Sequence, residues 1–150
     1  MIRLIFLTLL FFSYTLKADQ NHEIQGIRQA VLDYIESQEQ VLPERMQRSL
    51  DPQLAKRTYW LGTDGEEFIM HSSYETMLKI AASYNKNGDK FGLNPKKDIE
   101  IFDVDQRVAS VKLTVDDWID YMHLYKNQEG QWKVINVLWQ FHDTSKQKSQ

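Results

Sequence analysis

The residue in this sequence best placed to do chemistry is Asp120, an acid within Trp118-Ile119-Asp120-Tyr121-Met122, where its period-two neighbours are large and apolar. A carboxylate desolvated and unpaired in such company has a raised pKa and can serve as a general base. If it accepts hydrogen bonds from an indole N–H or a tyrosine, it organises a core instead. His71 is the second candidate, either facing a cavity mouth as a partner acid or lying exposed in a loop. With these two, Tyr34, Trp60, Trp118 and Trp139 make up an aromatic set that either lines a ligand cage or fills a core. His22, His123 and His142 are scattered, and no His-x-x-x-His pair, acidic calcium loop or thiol occurs. No metal and no cofactor is therefore expected. There is also no Gly-x-Ser-x-Gly elbow and no glycine-rich phosphate loop.

The elements that must position these residues can be read from periodicity. Ile24, Ile27, Val31, Tyr34 and Ile35 recur at helical spacing, so a helix is expected over about 20–39. Leu42-Pro43-Glu44 opens a second, short helix that Asp51-Pro52 stops. Asp64-Gly65 turns a hairpin between strands at 56–61 and 66–70. Ser72 and Glu75 suggest a capping box for a third helix, with Tyr74, Met77, Leu78, Ala81 and Tyr84 on its face. After a polar loop over 85–97, strands are expected at 98–104, 108–115, 118–126 and 132–141.

The turns set a register for this sheet. Glu129-Gly130 places Asp120 opposite Trp139, Met122 opposite Val137 and Leu124 opposite Ile135. Asp116-Asp117 places Leu113 beside Asp120 and Val111 beside Met122, and a three-residue loop at Asp105-Gln106-Arg107 brings Ile99 and Ile101 to Leu113 and Val111. One face then gathers apolar residues around Asp120, with no charge to pair it. The other carries Tyr121, His123, Tyr125, Trp132, Val134, Asn136 and Leu138, the aromatic and polar mixture of an interface. A homodimer through Tyr121, His123, Tyr125, Trp132, Asn136 and Leu138 is the expectation.

The fold class is α+β. Helices followed by an antiparallel sheet wrapped around them resemble the nuclear transport factor 2-like cone. Leu50-Asp51-Pro52-Gln53-Leu54, Ala109-Ser110-Val111-Lys112-Leu113, Trp118 to Leu124 and Gly130-Gln131-Trp132-Lys133-Val134 resemble the putative lumazine-binding family of that superfamily, over roughly residues 24–141. The resemblance implies three N-terminal helices packed in a strongly curved antiparallel sheet, and a small-ligand-binding fold. Where relatives carry Leu-His-Pro, this chain has Asp51, and an unperturbed aspartate is too weak a base near pH 7 to replace a neutral imidazole.

The start of the chain reads as a secretory signal peptide. Arg3 is followed by an apolar run from Leu4 to Phe12, with a cleavage point expected between Ala18 and Asp19. The run is too short to span a bilayer, so no stable membrane anchor is expected after cleavage. Loss of residues 1–18 leaves one domain, 19–150, with 16 basic against 21 acidic residues. Its net charge of about −5 gives no attraction for nucleic acid or anionic lipid. An exported chain without cysteine, in the periplasm or outside the cell, must be held by packing alone. Three functions compete: a non-catalytic module binding a small apolar or heteroaromatic molecule, an isomerase- or dehydratase-type enzyme with Asp120 as base, and an interaction dimer with a filled cone.

Overall fold

The computed structural model describes residues 2–149, with side chains described from residue 20 onward. The expected signal segment, 1–18, lies outside the residues whose side chains are described. The order of elements is α1 (Ile2–Gln40), α2 (Pro43–Ser49), β1 (Leu50–Leu61), β2 (Glu67–Ser72), α3 (Tyr74–Ser83), β3 (Asp98–Asp105), β4 (Val108–Thr114), β5 (Trp118–Lys126) and β6 (Trp132–Phe141). A short 3-10 turn, Thr144–Lys146, follows.

The helices form for the reasons their sequence suggests. In α1, Ile27, Val31, Tyr34 and Ile35 share one buried stripe. Pro43 begins α2 with its ring preset for the first turn, and Glu44 and Arg48 complement the helix dipole at either end. The two helices are riveted by Asp33. Its Oδ1 accepts from Arg45 Nε at 2.9 Å, and its Oδ2 from Arg48 Nε at 2.7 Å. Burial alone would raise the Asp33 pKa, but the hydrogen bonds from Arg48 and Arg45 outweigh it and hold the carboxyl below its usual range. The cap of α3 is Ser73, not Ser72: its hydroxyl accepts from the Thr76 N–H and donates to Glu75. Ser72 belongs to β2, so the motif is one residue later than its spacing suggested.

One six-stranded sheet, in the order β2-β1-β6-β5-β4-β3, curves around the helices. All pairings are antiparallel except β1 with β6, which is parallel. The expected antiparallel sheet is corrected at that one seam, where the first hairpin lies beside the last strand of the chain. Strand β1 also starts at Leu50 rather than residue 56. Proline at 52 pushes Asp51 into extended backbone, so the stop signal of α2 is the first turn of the strand.

The inner register follows the turns. Leu113 pairs with Asp120, Val111 with Met122, Asp120 with Trp139 and Met122 with Val137. Two bulges break the expected pattern. In β6 the pairing slips between His123 and Leu124, so Leu124 faces Val134, not Ile135. Trp132 and Val134 thereby turn into the core, and Ile135 is displaced from it. In β3 a slip between Ile101 and Asp103 lets Asp105 pair with Val108, and the three-residue loop becomes a two-residue turn. The core lies between the inner face of the sheet and the three helices. Its largest fully buried side chains include Tyr34, Met77, Leu113 and Met122.

Candidate functional site

Asp120 is completely buried on the inner face of β5, and it is not alone. Its Oδ1 accepts from Lys56 Nζ at 2.6 Å and from the Tyr34 hydroxyl at 3.4 Å, and its Oδ2 accepts from Trp118 Nε1 at 2.8 Å. Lys56 Nζ also donates to the Tyr34 oxygen at 2.7 Å. The expectation of an unpaired carboxylate is thus wrong: Lys56, from the distant strand β1, supplies the counter-charge. Alternation along β1 puts Lys56 on the inward parity with Leu54 and Thr58, all three of them buried, but does not say which partner it meets there.

The electrostatics follow from this closure. Desolvation pulls the Lys56 pKa below its usual value, against the pull of Asp120, which holds the ammonium charged. Burial and the neighbouring Asp120 push the Tyr34 phenol well above its ordinary range. The ammonium also lies over two aromatic rings, 4.9 Å from the centroid of Trp139 and 5.4 Å from that of Tyr34.

Lys56 and Tyr34 form the floor of a cavity of about 380 Å³, within the usual size range of small-molecule sites. Trp118, Trp139 and Phe141 from the sheet and Met77, Ile80 and Tyr84 from α3 supply its apolar walls. Tyr84, Phe91 and Trp118 meet edge to face with centroids 6.0–6.3 Å apart, which fixes the rings of one side.

Of the aromatic set read from the sequence, Tyr34, Trp118 and Trp139 line this cavity together. Trp60 does not: its indole N–H donates to Ser149 Oγ at 3.1 Å, behind Trp139. Asp120 is not part of the wall either, and stands behind Lys56 and Tyr34. A base must reach the proton it takes, so direct proton abstraction by Asp120 finds no support in this geometry. His71 borders the cavity, but it pairs with Arg57 on the outer face of the sheet, so its exposed side chain points away while Met70 and Ser72 face in. Among the described residues, no group of three or more His, Asp or Glu could hold a metal ion.

On the outer face, Tyr121 and Leu138 are cross-strand partners, 44% and 56% exposed, and Tyr121 stacks on Phe102. His123 and Asn136 hydrogen-bond to each other, and the Tyr125 hydroxyl donates to Asp51 Oδ2 at 2.5 Å. Asp51 therefore serves as an acceptor for Tyr125 and is not among the residues that line the cavity. Trp132 has to be removed from the expected interface. The β6 bulge turns it inward, where Nε1 donates to Glu23 Oε2 at 2.8 Å.

Comparison with known proteins agrees with this architecture. The sequence model of the family described as "Putative lumazine-binding" matches residues 22–140. No curated protein matches the chain by sequence. Among solved structures, a nuclear transport factor 2-like protein of unknown function from Silicibacter pomeroyi superposes with a TM-score of 0.66 at 12% identity, covering 82% of this chain and 98% of that one. A second such protein, from Shewanella baltica, gives 0.60 at 17% identity over 81% and 94% of the two chains. A protein described as a putative ketosteroid isomerase from Shewanella frigidimarina gives 0.54 at 15% identity over 77% and 94%. At these identities the likeness is one of fold.

Proposed function

Because the chain belongs to the putative lumazine-binding family, within the nuclear transport factor 2-like fold, we propose that it binds a small planar apolar or heteroaromatic molecule in its cone, without catalysing its turnover. The observation that carries this reading is the aromatic cavity of about 380 Å³ with one charged group, Lys56, in its floor. Lys56 and Asp120 neutralise each other, so an ionised ligand would leave a net charge in an apolar chamber. A neutral ligand is preferred. Its ring would pack against Trp118 and Trp139, and a carbonyl-type acceptor would meet the ammonium hydrogen that Asp120 and Tyr34 leave free.

A titration with 2-naphthalenemethanol followed by the indole N–H resonances tests this. Trp118 and Trp139 should shift saturably while Trp132, buried against α1, stays in place. Thr76→Trp, which fills the rim, should abolish the shifts. Uniform or non-saturating shifts would refute a site in the cone.

The outer face supports a homodimer. Across neighbouring strands, Glu100, Lys112, Tyr121, Leu138 and Arg57 form one row, with an acid at one end, a guanidinium at the other and an apolar centre. A second copy turned by a twofold would set Glu100 against Arg57. Export is proposed on the Leu4–Phe12 run, and an N-terminus near Asp19 in mass spectra of the mature protein would support it.

A further inference from the structure

We propose that Lys56 is a nucleophile, and that the ligand of the cone is a planar aldehyde or ketone captured there as a reversible Schiff base. This deepens the binding reading above and rests on it. The first observation is position: among the described residues Lys56 is the one Lys or Arg in the cavity wall, and its side chain is only 8% exposed. The second is the pair of groups that touch its nitrogen. Asp120 Oδ1 at 2.6 Å can take a proton from the ammonium, and the Tyr34 hydroxyl at 2.7 Å links nitrogen to carboxylate. The third is residue type. A buried partner for a carboxylate is best served by the bidentate fork of arginine, whereas lysine makes a weaker pair but carries an amine that can react. Burial of Lys56 among aromatic rings lowers the cost of deprotonating it.

The chemistry balances within these groups. Asp120 accepts one proton from Lys56, and the freed nitrogen pair adds to the carbonyl carbon as the C=O π pair moves to oxygen. Asp120 returns the proton to that oxygen through the Tyr34 hydroxyl, giving a carbinolamine. A second proton passes from nitrogen to the hydroxyl by the same route, water leaves, and the C=N bond closes. In sum, ammonium and aldehyde give protonated imine and water, with no oxidation or reduction. The positive charge is on the same nitrogen in the ammonium and in the product iminium, so the buried Asp120 has its counter-ion both before and after capture.

The test treats the wild-type protein with 2-naphthaldehyde and sodium cyanoborohydride near pH 7, then maps naphthylmethyl adducts by peptide mass spectrometry. Lys56 should be alkylated at least about tenfold faster than the exposed Lys90 and Lys146, although exposure alone would predict the reverse. Tyr34→Phe, which removes the relay, should slow capture at Lys56 about tenfold at saturating 2-naphthaldehyde. Capture at Lys56 no faster than at Lys90, in a protein that binds the alcohol, would overturn the Schiff base and leave the binding site standing. If the alcohol does not bind and Lys56 is not captured, both readings fall.

Discussion

Replacing Asp120 by Asn tests the buried network most directly. The side chain is wholly inaccessible, and it accepts from Lys56, Tyr34 and Trp118. The substitution preserves shape but removes the charge opposite an ammonium that is itself buried. Asn also carries an N–H₂ group where the carboxylate had an acceptor. Turned one way it meets the Trp118 indole N–H, a donor 2.8 Å from the present Oδ2, and turned the other way it meets Lys56. Breaking a buried pair from one side costs about 3–5 kcal/mol. The loss is bounded, because Lys56 can shed its proton instead, at a cost near pH 7 of about 4–5 kcal/mol from its ordinary pKa of about 10.4.

That escape predicts a pH dependence with a definite sign. Desolvation already lowers the Lys56 pKa, and Asp120 is what opposes it. Without Asp120 the folded value lies further below the unfolded one, so the unfolded chain binds more protons in the window between them. Stability of the variant therefore rises with pH across that window, and its deficit against wild type should shrink from pH 7 toward about 10. Urea melts at pH 7 and at pH 9.5 measure both quantities. In a double-mutant cycle with Lys56→Met and Asp120→Leu, the apolar pair should recover at least about 2 kcal/mol of the summed single losses. An Asp120→Asn protein as stable as wild type at pH 7, or one whose deficit grows with pH, would refute the ion pair.

Three further outcomes are expected. Gly26→Ala should destabilise by about 1–3 kcal/mol in thermal melts, because its Cβ would stand 2.7 Å from Trp132 Cδ1. Asp33→Asn should cost about 1.5–3 kcal/mol near neutral pH by loosening α2 from α1. Since the folded Asp33 pKa is depressed, that stabilisation is present above the unfolded value of about 3.9 and is lost as pH falls through the folded one, so acid melts of variant and wild type should converge. Light scattering of the Tyr121→Glu, Leu138→Glu double variant should show a folded monomer from a dimeric parent, and a parent already monomeric at tens of micromolar would remove the proposed interface.

Much of this architecture was legible in the sequence because it is encoded locally. The stripe of Ile27, Val31, Tyr34 and Ile35 needs only a helical period, and Glu129-Gly130 and Asp116-Asp117 need only turn geometry to set Asp120 against Trp139 and Leu113. What failed depended on partners far along the chain. The slip that carries Trp132 into the core is a single extra residue at Ile135, and either parity of that strand reads as plausible alternation until α1 offers Glu23 and the small surface of Gly26. The sequence leaves His71 either facing a cavity mouth or exposed, and its pairing with Arg57 decides which way it points.

The sequence by itself determined that an acid would lie on the apolar face of the sheet, since period-two alternation allows Asp120 no other side. Only the tertiary structure decided what that acid is. The parallel seam between β1 and β6 brings Lys56 across 64 positions to within 2.6 Å, turning an expected lone base into half of an ion pair. No local pattern encodes that meeting. A lysine is solvated wherever the unfolded chain puts it, and its burial becomes tolerable only when the closed cone supplies a carboxylate, a phenol and two aromatic faces at once.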